Sequence, residues 1–240
     1  MSGRHVVVLT GAGISADSGV DTYRDAGGLW EGHRFEEVAT PEAWARDRGL
    51  VWRFYQLRRQ QLDAVEPNAA HRALVRLEQE LGARGEGFTL VTQNVDDLHQ
   101  RAGSTVLPMH GELARLRCET CGARPVDREH LAEDELVDCP SCGAGPLRPD
   151  VVWFGEMPYH LPEIEAAVAR CTHFIAIGTS GAVYPAAGYL SHARASGAWT
   201  ACQGLAEPDN LDPRDAFLGG RASEVVPALV EDLLARPPRI

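Results

Sequence analysis

Apolar and polar positions along the chain follow two alternating rhythms. Compact runs of β-branched and aliphatic residues recur at Val6-Val7-Val8-Leu9, Phe88-Thr89-Leu90-Val91, Val106-Leu107-Pro108-Met109 and Val151-Val152-Trp153-Phe154, and again over 173–177 and 198–202. Runs of that length and content, bounded by turn formers, predict buried strands. Between them, apolar residues return at three- and four-residue steps, the period of an amphipathic helix. The longest such pattern spans residues 41–81 through Trp44, Val51, Trp52, Phe54, Tyr55, Leu62, Leu74, Leu77 and Leu81, and Pro67-Asn68 divides it into two helices. Further helices are expected over 95–101, 162–170, 186–195 and 223–234. Strands alternating with helices predict an α/β fold with an open parallel sheet, and such sheets bind ligands beyond the carboxyl ends of their strands.

Polar groups concentrate where strands are predicted to end. The first strand, from His5 to Thr10, runs into Gly11-Ala12-Gly13-Ile14-Ser15-Ala16, a G-x-G-x-x-A arrangement that follows a strand and opens a short helix. Glycines there let the backbone approach a pyrophosphate, and the helix start offers free N–H groups; a plain connecting turn is the competing reading. The acidic strand end that a dehydrogenase fingerprint requires about 20 residues later is missing. Residues 21–30 instead form a polar, Gly-containing loop able to close over a ligand, where Arg24 either meets a phosphate or ribose or is solvated. Gln93-Asn94-Val95-Asp96-Asp97 follows the strand at 88–92, and His110 follows the one at 106–109. A helix cap needs one such residue and not four, so the cluster points to chemistry, with Asp97 equally readable as a cap. An imidazole titrates near neutral pH, which makes His110 the candidate general base. Gly178-Thr179-Ser180, after the strand at 173–177, suits a phosphate or ribose contact or a simple turn.

Two patterns stand apart from the sheet. Tyr55 and Arg58 lie three apart on a helix and share a face that could grip one anionic group, although an amphipathic helix with a solvated Arg58-Arg59 pair fits the same spacing. Cys118 and Cys121, then 17 residues, then Cys139 and Cys142, form a C-x2-C, C-x2-C layout with zinc-ribbon spacing. Four thiolates close a tetrahedral shell, so the metal would be structural, and it would supply folding energy to a short, polar module.

Composition narrows the partners. A chain of 240 residues can bury a large core as one domain carrying a small insertion. A net charge of -11 speaks against nucleic acid and anionic membranes, and leaves lysine-rich protein segments open as substrates. No apolar run approaches the roughly 20 residues of a membrane span, and the first residues lack a secretory layout, so a cytoplasmic protein is expected. Thiols stay reduced there, which favours metal over disulfide for the paired cysteines and leaves Cys171 and Cys202 as buried apolar residues.

Taken in order, Gly11 to Gly19, Tyr23-Arg24-Asp25, Thr92 to Asp96, His110-Gly111, the two CxxC pairs, Val152 to Glu156 and Gly178 to Ser180 resemble the motifs of the sirtuins across nearly the whole chain. The resemblance implies a Rossmann-like parallel sheet with helices on both faces that binds NAD (residues 1–34, 82–112 and 150–240). It adds a small domain made of a helical insert (35–81) and a four-cysteine zinc-ribbon module (113–149), with a cleft between the two. It implies removal of acyl groups from protein lysines with consumption of NAD: the acyl oxygen attacks the nicotinamide ribose, and O-acyl-ADP-ribose is the product. By resemblance, Asn94, Val95 and Asp96 line the nicotinamide pocket, Gln93 and His110 meet the ribose hydroxyls, and His110 activates one of them. Gly11, Ala12, Gly13, Ser15, Ala16, Tyr23, Arg24 and Trp30 wrap NAD, and Gly178, Thr179, Ser180, Leu205 and Ala222 lie on its adenosine side. Leu205 stands where the family carries an Asn, so its side chain cannot make that hydrogen bond. Val152, Phe154, Gly155 and Glu156 on one side, and Val183 and Tyr184 on the other, resemble the segments between which a substrate peptide adds as a strand.

Tyr55 and Arg58 resemble the Tyr-x-x-Arg pair of the branch that removes succinyl and malonyl groups, so acidic acyl-lysines are the expected substrates, beside acetyl-lysine. Acyl-lysine proteins or peptides are the expected partners of a monomer. An ADP-ribosyltransferase or NAD glycohydrolase on the same scaffold is the first alternative, and a non-catalytic zinc-ribbon binding module the second.

Overall fold

The structure, a computed structural model, describes residues 3–20 and 33–235. Among these, strands β1 (His5–Thr10), β2 (Gly87–Thr92), β3 (Val106–Pro108), β6 (His173–Ile177), β7 (Trp199–Gly204) and β8 (Ala216–Gly219) form one parallel sheet in the order β3-β2-β1-β6-β7-β8. The chain winds one way from β1 to β3 and the other way from β6 to β8. The topological switch point, where such sheets open a crevice, therefore lies between β1 and β6.

Strand β1 reads as an unbroken apolar run because both its faces are covered. Val6 and Val8 face helices α4 (Ala69–Ala83) and α8 (Ala222–Ala235), packing with Leu74, Leu77, Leu81, Val226 and Val230. Val7 and Leu9 face helices α6 (Leu161–Arg170) and α7 (Ala186–Ala195), packing with Ile164, Val168, Tyr189 and Leu190.

A third core lies beside the sheet. Short helices α1 (Phe35–Val38) and α2 (Pro41–Arg46) lead into α3 (Arg48–Asp63), whose Val51, Trp52, Phe54 and Tyr55 pack with Leu113, Leu116, Cys118, Cys139, Leu147 and Trp153. The helical stretch 35–81 thus packs in two places: α1 to α3 against the cysteine module, α4 against the sheet. Thr40 and Asp47 cap α2 and α3 through their side chains, and Asn68 caps α4 at the break foreseen at Pro67-Asn68.

Three expectations need correcting. The strand placed at 151–154 in the main rhythm is instead β5 (Arg148–Val151), paired antiparallel with β4 (Gly111–Arg117) in a separate two-stranded sheet. Gly111, at φ +82°, turns the chain out of the main sheet, and a Cβ there would collide with the Asp150 carbonyl. Helix α5 starts at Leu98 and ends at Ala102, later than expected, because the Val95 carbonyl accepts the Leu113 N–H (2.8 Å) from β4 and is lost to the helix. Strand β8 was not expected at all: four residues at a sheet edge, inside a Pro- and Asp-rich stretch, become a strand only because β7 offers them a partner.

Candidate active site

The loops after β1, β2 and β6 converge at the switch point. Gly13 N–H donates to the Gly178 carbonyl (2.9 Å), and a Cβ at Gly13 would come within 2.7 Å of the Gly178 Cα. The sequence offered a ligand as the reason for these glycines. The backbones of the two loops are a second reason, since only glycine lets them touch.

From the loop after β2, the Asn94 amide donates to Ser15 Oγ (3.1 Å), and Ser15 Oγ donates to Asp96 Oδ2 (2.9 Å). Asp96 Oδ1 accepts the Leu98 N–H (3.1 Å), so this aspartate, not Asp97, supports the start of α5. Burial holds the Asp96 carboxyl above its ordinary pKa, because a charged carboxylate loses hydration there. Gln93 Nε2 donates to Thr179 Oγ1 (3.0 Å), joining the loops after β2 and β6.

His110 Nδ1 lies 2.9 Å from the Gln93 carbonyl oxygen. A carbonyl only accepts, so Nδ1 carries the proton and Nε2 keeps its lone pair. Burial lowers the imidazole pKa, partly offset by that hydrogen bond, so the ring is neutral at pH 7 with a basic nitrogen available. The His110 carbonyl accepts the Val152 N–H (2.9 Å), which couples the base to the start of the segment expected to hold substrate.

Thr92 and His99 also join Thr10 and His71 in a polar layer whose connections sequence reasoning missed. Thr10 Oγ1 donates to Thr92 Oγ1 (2.8 Å), Thr92 Oγ1 accepts the Asn94 N–H (3.1 Å), and His99 Nε2 sits 3.0 Å from Thr10 Oγ1. His99 and His71 are both buried with ring centroids 4.8 Å apart, and burial depresses their pKa values to about 3 and about 4. Asn68 Nδ2 donates to the Ile14 carbonyl (2.8 Å) and Ser18 Oγ (3.0 Å), tying the Gly-rich loop to α4. A capping Asn carries no sequence signal for that second task.

On the other wall, the Tyr55 phenol is buried and accepts the Trp153 Nε1–H (2.9 Å), and burial pushes its pKa up to about 12. Arg58 places its guanidinium 5.7 Å from the Phe54 ring. Arg59 is not solvated: it is buried, donates to Gln56 Oε1 and to the Asp127 and His130 carbonyls, and pairs with the Asp127 carboxylate (3.5 Å). Asp97, only 3 % exposed, faces Arg128 of the cysteine module at 2.6 Å instead of capping α5.

Phe154, Val183 and Tyr184 are exposed, Tyr184 at 75 %, which is how two open strand-like segments would look. Gly155 follows Phe154 at φ +90°. The Glu156 carboxylate is engaged internally, accepting from Arg117, Arg148 and the Trp153 N–H, so its backbone is what it can offer a peptide. Leu205 is 82 % exposed beyond β7, and Ala222 is buried at the start of α8. Tyr23, Arg24 and Trp30 lie outside the described residues.

The Sγ atoms of Cys118, Cys121, Cys139 and Cys142 all lie within 4.8 Å of one another. The 3.7 Å separations Cys118–Cys142 and Cys121–Cys139 exclude disulfides and approach the roughly 3.8 Å edge of a tetrahedron with Zn–S bonds of about 2.3 Å. The cluster fits one structural zinc ion. Cys171 and Cys202 are buried, as expected. Among the described residues no helix is long and apolar enough to cross a membrane.

A parallel sheet with a polar crevice at its switch point, facing a wall carried by a four-cysteine cluster, defines a dinucleotide-binding protein with a zinc-stabilised small domain. The Sir2 family model matches residues 11–185, and the chain belongs to that family. An NAD-dependent protein deacylase of Shewanella oneidensis is 50 % identical over 235 residues, covering 97 % of this chain and 95 % of its own. One of Caulobacter vibrioides is 50 % identical over 234 residues, covering 96 % and 97 %. The crystal structure of a Sir2 homologue in complex with NAD superposes with a TM-score of 0.85 at 37 % identity, covering 97 % of this chain and 91 % of that one. A Sir2 protein bound to a propionylated peptide gives 0.79 at 26 % identity, covering 96 % and 93 %.

Proposed function

We propose that this chain is an NAD-dependent protein-lysine deacylase that accepts acidic acyl groups, succinyl and malonyl, beside acetyl. The observation that carries the enzymatic reading is His110, whose Nδ1 proton is held by the Gln93 carbonyl so that Nε2 keeps its lone pair.

NAD, as co-substrate, supplies a glycosidic bond whose cleavage is energetically downhill and an acceptor for the acyl group. The chain's own residues bind and orient it. The loop at Gly11, Ala12, Gly13, Ser15 and Ala16 lets the backbone approach the pyrophosphate, with the Gly11, Gly13 and Ser15 N–H groups held by the Ile177, Gly178 and Ala12 carbonyls, and Gln93, Thr179 and Ser180 offer polar groups to ribose. Asn94 and Asp96, held by Ser15, form a rigid polar pocket for a carboxamide beside Val95. His110 Nε2 takes the proton of a ribose hydroxyl. Phe154-Gly155 and Val183-Tyr184 accept the substrate backbone between them.

Acidic-acyl preference rests on Tyr55 and Arg58, a phenol and a cation one helical turn apart. An acceptor-only carboxylate matches both. The reading also makes the protein cytoplasmic, since a four-thiolate zinc shell survives where thiols stay reduced. The test is a panel of acetyl-, malonyl- and succinyl-lysine peptides with NAD, read by product mass. Acylated ADP-ribose is expected; free ADP-ribose without acyl transfer points to a glycohydrolase, and mass added to the peptide points to an ADP-ribosyltransferase. Arg58→Met should cut succinyl turnover by about tenfold or more while sparing acetyl turnover, and an equal loss on both peptides rejects the acidic-acyl assignment.

A further inference from the structure

The Tyr55 phenol is oriented from behind. Its oxygen accepts the indole N–H of Trp153 at 2.9 Å, with ring centroids 6.3 Å apart and planes tilted by 37°. An indole N–H only donates, so one lone pair of the phenol is taken and its O–H proton is turned away from the indole. Among the described residues no acceptor takes that proton. Burial keeps the phenol protonated, with its pKa up at about 12.

The indole cannot easily leave. The buried Arg148 guanidinium lies 3.3 Å from the centre of the Trp153 ring and is clamped by both Glu156 carboxylate oxygens, at 2.8 and 2.9 Å. Glu156 Oε2 also accepts the Trp153 backbone N–H at 2.9 Å, and the Trp44 ring stands 6.0 Å away, centroid to centroid. Arg58 lies one turn along α3 from Tyr55, with its guanidinium 5.7 Å from the centre of the Phe54 ring.

We propose that Trp153 is a specificity-determining positioning residue, holding the Tyr55 O–H as a directed donor that, with the Arg58 cation, receives the terminal carboxylate of an acidic acyl chain. This rests on the reading of Tyr55 and Arg58 as an acidic-acyl subsite. An acetyl group has no carboxylate and is indifferent to the direction of that O–H. Trp153 therefore acts on the choice between acyl groups and not on the chemistry they share.

Trp153→Phe keeps an aromatic ring over Arg148 and deletes the donor together with part of the bicycle. The KM for a succinyl peptide should rise about tenfold, the scale of a hydrogen bond to a charged group, with kcat and the acetyl-peptide KM within about twofold of the parent. Replacing Trp153 with 3-benzothienylalanine, which swaps the N–H for sulfur in a bicycle of the same shape, should do the same if the phenylalanine variant folds poorly. In a Tyr55→Phe background the Trp153 change should add nothing, because it acts through that hydroxyl. Equal losses on both peptides, an unchanged succinyl KM, or additive effects in the double variant each overturn the proposal. A parent enzyme that turns over acetyl but neither succinyl nor malonyl peptide rejects the subsite reading itself. An Arg58→Met selectivity loss without a Trp153→Phe loss rejects only the role of Trp153.

Discussion

The two walls of the cleft keep their shapes by different means. On the sheet side, a six-stranded sheet whose central strands β1 and β6 are buried carries the loops of the candidate site, and Gln93, Asn94, Asp96 and His110 are held by hydrogen bonds to neighbouring side chains and backbone. On the other side, a smaller core leans on buried charge pairs, Arg59 with Asp127 and Arg148 with Glu156, and on four thiolates gathered for a metal. A wall built on regular structure can hold reacting groups without help. A wall built on ion pairs and a metal stays shaped only while its partners stay in place, which suits the part we propose for Tyr55, selecting among substrates more than transforming them.

Removing the metal should separate the walls most sharply, because structural zinc supplies on the order of 10 kcal/mol in small modules. With a strong chelator, hydrogen-exchange protection in α3, β4 and β5 is expected to collapse while β1, β2 and β6 keep theirs. Simultaneous loss throughout would show that the walls are one cooperative unit. Next in size, His110→Ala should lower kcat about 10²–10⁴-fold, the usual contribution of a positioned base. Nicotinamide release at the parental rate would remove the base from the sheet wall.

Acid should weaken the sheet wall by a smaller amount. His71 and His99 are held neutral by burial down to about pH 4 and pH 3, whereas in the unfolded chain they gain protons below their ordinary 6.5. Above that pH neither state binds a proton, so they contribute no slope; below it the unfolded chain binds more, and stability falls as pH drops from about 6.5 toward 4. Melting temperature should fall more steeply over that range in the parent than in His71→Gln, and parallel curves would contradict the assignment.

Much of the fold was legible because local pattern and tertiary environment agree. Val6 to Leu9 predict a strand by composition, and burial on both faces is what that composition requires. The Cys118 to Cys142 spacing predicts a metal cluster because two tight turns already bring each pair together. Arg148-Pro149-Asp150-Val151 was missed as a strand because Pro149 and Asp150 disfavour one, and only pairing with β4 and the Glu156 clamp on Arg148 make it so. The layer joining Thr10, Thr92, His71 and His99 went unread for a related reason. A hydroxyl or imidazole in an otherwise apolar pattern does not announce its partner when that partner lies about eighty residues away in sequence, as Thr92 does from Thr10.

By itself, the order of residues determined most of the segments that are strands or helices, which groups could do chemistry and which could hold a metal, because periodicity, residue type and short spacing are local properties. Tertiary structure alone decided which nitrogen of His110 is free, which side of the Tyr55 phenol is occupied, and that Arg59 and Asp97 bridge to the cysteine module. Those choices depend on where a single proton or lone pair points, and that is set by neighbours that meet only when the chain has closed on itself.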